Sequence, residues 1–327
     1  MNIYSKAVTS LFVALAGVLG GHHAAAAAYP DRPIKIIVPF TAGGVVDQIA
    51  RSIGEKLSQK YGQPVIVDNK AGASGAIGTE TAMSAPPDGY TLLCVSPGHV
   101  ILPPLAKKPK WDPNNDFRGI HGFGEIPNVI AVPASLPVKT IGDLISLAKE
   151  READPLTFAS PGMGTSIHLA GVMLAQQASI NLTHVPYRGQ PDAMTDLIAG
   201  RVDMMPLSSP LAKPHIDSGK LRGLAVTTSY ESSLLPGIPA LAKEAGLPDY
   251  QASTWFGFVT QAKVPDGIVE QLSNDIAGIL KMPDVQQQFS TLGLELTPRD
   301  HAQFDIFVDQ EYEKWKAVIE EGKLQID

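Results

Sequence analysis

Ile34-Lys35-Ile36-Ile37-Val38-Pro39-Phe40-Thr41-Ala42-Gly43-Gly44-Val45-Val46-Asp47-Gln48-Ile49 decides the fold class. The apolar run Ile34 to Val38 reads as a buried strand. After it, Ile49, Ala50, Ile53, Leu57 and Tyr61 fall three or four residues apart on one helical face. A strand therefore ends in a diglycine turn, and a helix begins there. Such a turn leaves backbone N–H groups free, and the helix dipole adds partial positive charge. An anion, most simply a carboxylate, can be held there without Lys or Arg. The same residues would also serve as a plain tight turn, the commoner use of glycine.

The segment before it sets the compartment. Residues 1–28 carry Lys6, an apolar run from Ala7 to about Gly20, and the small residues Ala24 to Ala28. This is the layout of a cleaved secretory signal peptide, so the expected location is periplasmic. The run is shorter than the roughly 20 apolar residues that span a bilayer. His22 and His23 fall in the removed part and are given no metal role. No cysteine precedes Tyr29, which excludes a lipid-anchored cysteine start. The chain has 327 residues, a formal charge of −7 and 44% hydrophobic residues. The mature part is long enough for one large or two medium domains. The acidic balance argues against a nucleic-acid or anionic-membrane partner. Cys94 is the single cysteine; it lies in an apolar run and reads as a small buried hydrophobe.

Strand-like and helix-like segments alternate almost throughout. Strands are expected at Ile34–Val38, Val65–Asp68, Thr91–Val95, Val129–Val132, Leu156–Ala159, Thr183–Val185, Val202–Met205, Leu224–Thr227 and Phe256–Val259. Helices are expected from Thr140, where Thr140 and Asp143 can form a capping box, and over Ser166–Gln177 and Ala193–Ala199. Short strands alternating with helices predict an α/β fold of βα units with mostly parallel sheets flanked by helices. The rhythm breaks near Pro103–Phe117 and again at Leu247–Thr254. Two crossings predict one domain inserted into another: domain 1 at 29–128 and 253–327, domain 2 at 129–252. The C-terminal helices, Pro265 to Gly322, would pack back on domain 1.

Ligands of open α/β sheets bind beyond the carboxyl ends of the strands, and four loops qualify. The first is Phe40 to Gly44, with Val46 just inside the helix. The second is Gly162-Met163-Gly164-Thr165-Ser166, where Thr165 or Ser166 can cap the helix or donate a hydroxyl. The third is Tyr187-Arg188-Gly189; Arg188 could grip a carboxylate or simply be solvated. The fourth, Ser96-Pro97-Gly98-His99, could complete a pocket.

Together these loops resemble the Bug family of periplasmic solute-binding proteins, which serve tripartite tricarboxylate transporters. The resemblance runs in order through nearly all of the mature chain. It includes Tyr29-Pro30-Asp31-Arg32-Pro33-Ile34, the Pro39–Asp47 loop, Asp68-Asn69-Lys70-Ala71-Gly72-Ala73-Ser74-Gly75 and Ala85-Pro86-Pro87-Asp88-Gly89-Tyr90. Further on come His168-Leu169-Ala170-Gly171, His184-Val185-Pro186-Tyr187-Arg188-Gly189, Ala199-Gly200-Arg201-Val202-Asp203 and Trp255-Phe256-Gly257.

The resemblance implies a two-domain Venus-flytrap fold without catalysis, a monomer that captures a small carboxylate and hands it to transporter subunits in the membrane. It assigns Phe40 to Gly44 to the carboxylate loop of domain 1, Gly162 to Ser166 to the facing loop, and Tyr187 to Gly189 to the distal side. Asp47 is given a structural role at the start of the helix. The chain departs from the family pattern at Thr41-Ala42, at Val46 and in Met204-Met205-Pro206-Leu207-Ser208-Ser209. An apolar Val46 facing the cleft favours a ligand with an apolar or aromatic body and one or two carboxylates. Other readings are a ligand sensor for a membrane signalling partner and a secreted small-molecule hydrolase. Against the hydrolase, the chain has no Gly-x-Ser-x-Gly elbow, no His-Glu-x-x-His and no phosphate loop. Ser166 and His168 are too close along a helix to face each other. No cofactor is expected. His99, His168 and His184 have no metal-site spacing.

Overall fold

The structure, a computed structural model, describes residues 29–326; the expected signal segment lies outside them. Eleven strands are present among the described residues: β1 (Ile34–Val38), β2 (Val65–Asn69), β3 (Thr91–Val95), β4 (Phe117–Ile126), β5 (Asn128–Pro133), β6 (Leu156–Ser160), β7 (Leu182–Pro186), β8 (Met205–Ser208), β9 (Leu221–Val226), β10 (Thr254–Gln261) and β11 (Glu295–Arg299). The helices are α1 (Val45–Tyr61), α2 (Ala76–Met83), α3 (Gly98–Leu105), α4 (Ile141–Glu150), α5 (Ser166–Ala178), α6 (Gln190–Ile198), α7 (Ser209–Asp217), α8 (Leu241–Glu244), α9 (Asp266–Ile279), α10 (Pro283–Thr291) and α11 (His301–Glu321). None of the described helices is long and apolar enough to cross a membrane.

A six-stranded sheet runs in the order β11-β4-β10-β3-β1-β2, and smaller sheets pair β8-β5-β9 and β6-β7. The large sheet thus takes its strands from both ends of the chain, and the small sheets take theirs from the middle. The backbone hydrogen bond from Ala159 N–H to the Met204 carbonyl, 2.9 Å, ties β6 to the entry of β8. β1 pairs parallel with β2 and β3, and β6 with β7. β10 runs antiparallel to β3 and β4, β11 to β4, and β5 to β8 and β9. The sheets are therefore mixed rather than mostly parallel. The late strands return from the other side of the molecule and enter the large sheet in reverse.

Both faces of the large sheet are covered. Ile37, Leu93 and Val95 join the core that holds Ala82 and Phe304. Their neighbours Ile36, Leu92 and Cys94 are just as buried and must point to the opposite face. His121 of β4 meets Ser273 of α9 on one face, Nδ1 to Oγ 3.1 Å. Phe304 of α11 crosses the other. There the strands are stripped to glycine: a Cβ on Gly122 would lie 2.7 Å from the Phe304 ring, and one on Gly257 only 2.2 Å from it. Gly257→Ala is expected to cost about 2 kcal/mol by overpacking. Equilibrium unfolding in urea checks it; an unchanged midpoint would mean that Phe304 moves aside freely.

The capping box at α4 forms as the sequence predicts, with Asp143 N–H on Thr140 Oγ1 at 3.1 Å and Thr140 N–H on Asp143 Oδ2 at 3.0 Å. Two expected strands lie elsewhere. The strand placed at Val202–Met205 occupies Met205–Ser208, because the Asp203 carboxylate takes the Thr157 N–H and hydroxyl and holds that stretch as a turn. The strand placed at Leu224–Thr227 spans Leu221–Val226. Thr227 instead lies past the strand, its hydroxyl donating to the Ala252 carbonyl at 2.8 Å. Asn128 Nδ2 reaches the same carbonyl at 3.0 Å. Beside them, Tyr230 donates to Glu125 at 2.9 Å, and Ser233 N–H to Glu295 at 2.7 Å. The C-terminal helices do pack on the large-sheet side: Lys56 of α1 pairs with Asp284 at 2.6 Å, and Tyr61 donates to Asp275 at 2.6 Å.

Candidate functional site

The turn after β1 is organised by one carboxylate. Asp47, 2% exposed, accepts the Gly43 N–H at 2.8 Å, Arg51 Nε at 2.9 Å and Asn69 Nδ2 at 2.9 Å. Asn69 also donates to the Phe40 carbonyl at 3.1 Å. Burial alone would raise the Asp47 pKa, but the bonds from Arg51, Gly43 and Asn69 outweigh it and hold the group at about 2. So the Gly43 amide, a donor expected to face a ligand, is occupied within the turn. What remains outward is the exposed run Thr41 to Gly44 and the amides of Val45 and Val46. As the first residues of α1, those two have no carbonyl inside the helix to bond. Gly44 caps α1 in an extended conformation with no side-chain cap, which leaves the helix end open.

Behind this turn, Phe40, Ser96 and His99 line one small cavity of about 10 Å³, together with Ser74, Gly75 and Thr79. His99 is 5% exposed, stacks at 6.2 Å on Trp111 and meets Phe117 edge-on at 5.0 Å. Among the described residues neither of its ring nitrogens has a hydrogen-bond partner. Burial pushes its pKa down to about 3, so the ring is neutral. Ser74 and Gly75 belong to a single 3₁₀ turn in which Ala73 and Ser74 are left-handed, with φ of 46° and 55°. Holding two non-glycine residues there is costly, and such strain gathers at working sites.

The loop after β6 forms a second group. Thr165 caps α5, accepting the His168 N–H at 3.2 Å and donating its hydroxyl to the Gly162 carbonyl at 2.8 Å. Ser160 Oγ accepts the Gly162 N–H at 3.1 Å and lies 2.7 Å from His184 Nε2. The Gly164 N–H points at His168 Nδ1, 3.3 Å away. The His168 and His184 rings lie with centroids 4.1 Å apart and their planes tilted by 43°, and burial, then the neighbouring His184, lowers His168 to about 4. With the loop amides of Gly162 and Gly164 engaged internally, Ser166 and Ile167 lead the helix with open amides. Met163 is 60% exposed. Tyr187 stands beside this loop: a Cβ on Gly162 would lie 3.7 Å from the Tyr187 carbonyl. The Tyr187 hydroxyl is turned to Asp196 at 2.9 Å, Arg188 is exposed, and Gly189 caps α6. A Cβ on Gly164 would meet Leu105 at 2.9 Å, so this loop adjoins the end of α3, the helix that opens on Ser96-Pro97-Gly98-His99.

Residues 49–324 match the model of the tripartite tricarboxylate transporter family receptor. The chain belongs to that receptor family. The receptor is 38% identical over 297 residues to the UPF0065 protein in the tcbD-tcbE intergenic region of a Pseudomonas species, covering 91% of this chain and 88% of that one. Among solved structures it resembles the periplasmic binding protein BugD, with a TM-score of 0.71, 31% identity, and 91% and 99% of the two chains covered. It also resembles an R. palustris protein solved with adipate, with a TM-score of 0.73, 31% identity, and 89% and 97% covered. The fold of this receptor is thus the two-domain periplasmic-binding-protein fold, the Bug resemblance holds, and the family is one of solute-binding proteins.

In the receptor the sequence-predicted residues fall into two groups. Phe40 to Gly44, Val46, Ser96 and His99 gather at the ends of β1 and β3. Gly162 to Ser166 and Tyr187 to Gly189 gather at the ends of β6 and β7. Sequence reasoning left out Ser74, Gly75 and Thr79, which share the cavity of Phe40 and His99, and the Ser160–His184–His168 support. Gly72-Ala73-Ser74-Gly75 stood in the sequence as a glycine-flanked turn after a strand, the same signal as at Gly43. Among the described residues no group of three or more His, Cys, Asp or Glu side chains could hold a metal ion. His168 and His184 do converge, but Ser160 and the loop amide at Gly164 engage them.

Proposed function

We propose that this receptor captures a small dicarboxylate with an apolar body in the cleft between its two domains, 29–128 with 253–327 on one side and 129–252 on the other. It then presents the ligand, without catalysis, to membrane subunits of a tripartite tricarboxylate-type transporter. It works as a monomer in the periplasm, after residues 1–28 are removed as a signal peptide. One observation carries the reading: the helix that follows β1 begins with open amides, and the carboxylate in its first turn, Asp47, is already engaged by Gly43, Asn69 and Arg51. An incoming carboxylate meets donors there and no unpaired negative charge. The loop at Gly162 to Ser166 offers the same kind of end, with the Ser166 hydroxyl beside it. The relative solved with adipate supports a carboxylate at each end of an apolar chain, in keeping with the half-buried Val46.

Each hydrogen bond to a carboxylate contributes about 1.5–3 kcal/mol net, so three or four leave roughly micromolar affinity after the cost of association. Thermal unfolding against adipate, phthalate, malate and citrate tests the reading. A ligand at a hundred times its Kd stabilises by about 2.7 kcal/mol, which raises the midpoint by roughly 5 °C. Adipate or phthalate is expected to give the larger shift; a clear preference for citrate overturns the apolar-bodied ligand.

A further inference from the structure

The loop between β6 and α5 has little shape of its own. Gly162 and Gly164 both sit at positive φ, 127° and 74°, and glycine gives up more conformational freedom on being ordered than any other residue. Side chains supply the shape. Ser160, the last residue of β6, accepts the Gly162 N–H, and His184 of β7 reaches the same hydroxyl. Thr165 closes the base of the loop with its hydroxyl on the Gly162 carbonyl. The tip, at Gly164, is held by His168 from the first turn of α5: its Nδ1 accepts the Gly164 N–H at 3.3 Å. On its other side Gly164 lies against Leu105 of α3.

The bond to Gly164 fixes the state of the ring. A backbone N–H only donates, so Nδ1 carries a lone pair and the proton of the neutral imidazole sits on Nε2. The ring is 3% exposed and is kept neutral by burial, with His184 as the neighbouring titratable group that adds to the effect. Packing sets its plane. Phe158 of β6 lies nearly parallel to it, at 12° and 6.0 Å between centroids. Phe158 is in turn the register partner of His184 and sits tight on α5, where a Cβ on Gly171 would come within 2.4 Å of its ring. A ring packed in this way offers its acceptor in one place.

We propose that His168 is a positioning residue for ligand capture: with Nδ1 as acceptor it holds the Gly164 amide, and so sets the shape of the Gly162–Ser166 loop that receives a carboxylate. The inference rests on the reading of that loop as one half of the dicarboxylate site. His168 acts through Gly164 and not on the ligand. A loop ordered beforehand has less entropy to lose when the ligand arrives, which is how a bond this far from the carboxylate reaches the affinity.

Two substitutions separate positioning from packing. His168→Asn puts a side-chain oxygen near the place of Nδ1 and keeps an acceptor there. His168→Phe keeps a ring beside Phe158 and removes the acceptor. Adipate calorimetry at pH 7.5 should show binding about fivefold weaker in the phenylalanine variant, the loss of one neutral hydrogen bond, and close to wild type in the asparagine variant. Thermal midpoints should rank the two in the opposite order, because asparagine leaves part of a buried ring's volume empty. An affinity that follows the midpoints, or a phenylalanine variant that binds as wild type does, overturns the proposal. Imidazole nitrogen shifts of the unsubstituted protein should show an Nε2–H tautomer in the signal that His168→Asn removes; an Nδ1–H tautomer also overturns it. Hydrogen exchange at the Gly164 amide reads the hold with no ligand present: slow in wild type and asparagine, faster in phenylalanine. If adipate fails to bind wild type while this exchange pattern holds, the failure falls on the dicarboxylate reading; equal exchange in all three falls on His168.

Discussion

Between pH 6.5 and 4 the protein is expected to lose stability steeply, by up to about 4 kcal/mol per pH unit. Three histidines are responsible. His99, His121 and His168 are 5%, 2% and 3% exposed. Burial lowers all three: His99 to about 3, His121 to about 4 against a weak upward pull from Asp300, and His168 to about 4 with His184 adding to it. In the unfolded chain each titrates near 6.5. Within that window the unfolded state binds protons that the folded state refuses. Stability is therefore complete above the unfolded value and is lost as pH falls toward the folded ones. Each group contributes about 1.4 kcal/mol per pH unit. Thermal midpoints from pH 7 to pH 4.5 measure the slope. His99→Phe, which keeps a ring against Trp111 and Phe117, should remove about a third of it. A midpoint that stays level down to pH 5 would show that the three rings protonate in place.

Asp47→Ala is expected to lower stability by about 3 kcal/mol and to weaken adipate binding at least tenfold. The carboxylate accepts three charged or polar donors in a buried position, and bonds to an ionised acceptor contribute about 1.5–3 kcal/mol each before water refills the site. Its folded pKa of about 2, against 3.8 for the free side chain, adds a check on sign. The stabilising part is present above pH 3.8 and lost as pH falls through 2, a window below that of the histidines. The functional loss has a different origin. Without Asp47, the Gly43 amide is released and Asn69 loses one of its acceptors, so the hold of β2 on the Phe40–Gly44 turn is reduced to the Asn69 bond to the Phe40 carbonyl. Asp47→Asn can still accept from Gly43 but offers one acceptor in place of two, so it should fall between wild type and alanine. Urea unfolding and adipate calorimetry on the three proteins separate the effects. Wild-type affinity in the alanine variant would remove the β1 turn from the ligand site.

Sequence legibility followed burial and local bonding. β1 and β3 could be read to the residue because each is a short apolar run bounded by turn residues, and the start of α4 because its capping box is local. β4 was missed. It is buried on both faces, so its pattern does not alternate, and Gly119, Gly122 and Gly124 make it look like loop; they are small because α11 and β11 pass so close. No short-range signal reports a partner that arrives nearly two hundred residues later in sequence (about residue 304). β11, Glu295-Leu296-Thr297-Pro298-Arg299, lies at the sheet edge and carries a proline, which masks a strand. At the site, the glycine turns were visible but their internal bonding was not. That Gly43 donates to Asp47 and that Thr165 spends its hydroxyl on Gly162 depend on distances only the folded loop sets.

The order β11-β4-β10-β3-β1-β2 also governs how the molecule can be made. β10 is the piece between β3 and β4, so those two early strands have no direct ladder to each other. Until residue 254 and beyond become available, the large sheet exists as two unjoined fragments, and residues 127–253 must be folded or parked while they wait. Closing a loop of that length costs entropy that grows only slowly with size, but it must be met before the central ladder gives any return. Assembly is therefore a clasp fastened last from the carboxyl end. A nascent or truncated chain ending before Thr254 holds every proposed ligand loop and has no finished sheet to mount the first of them on.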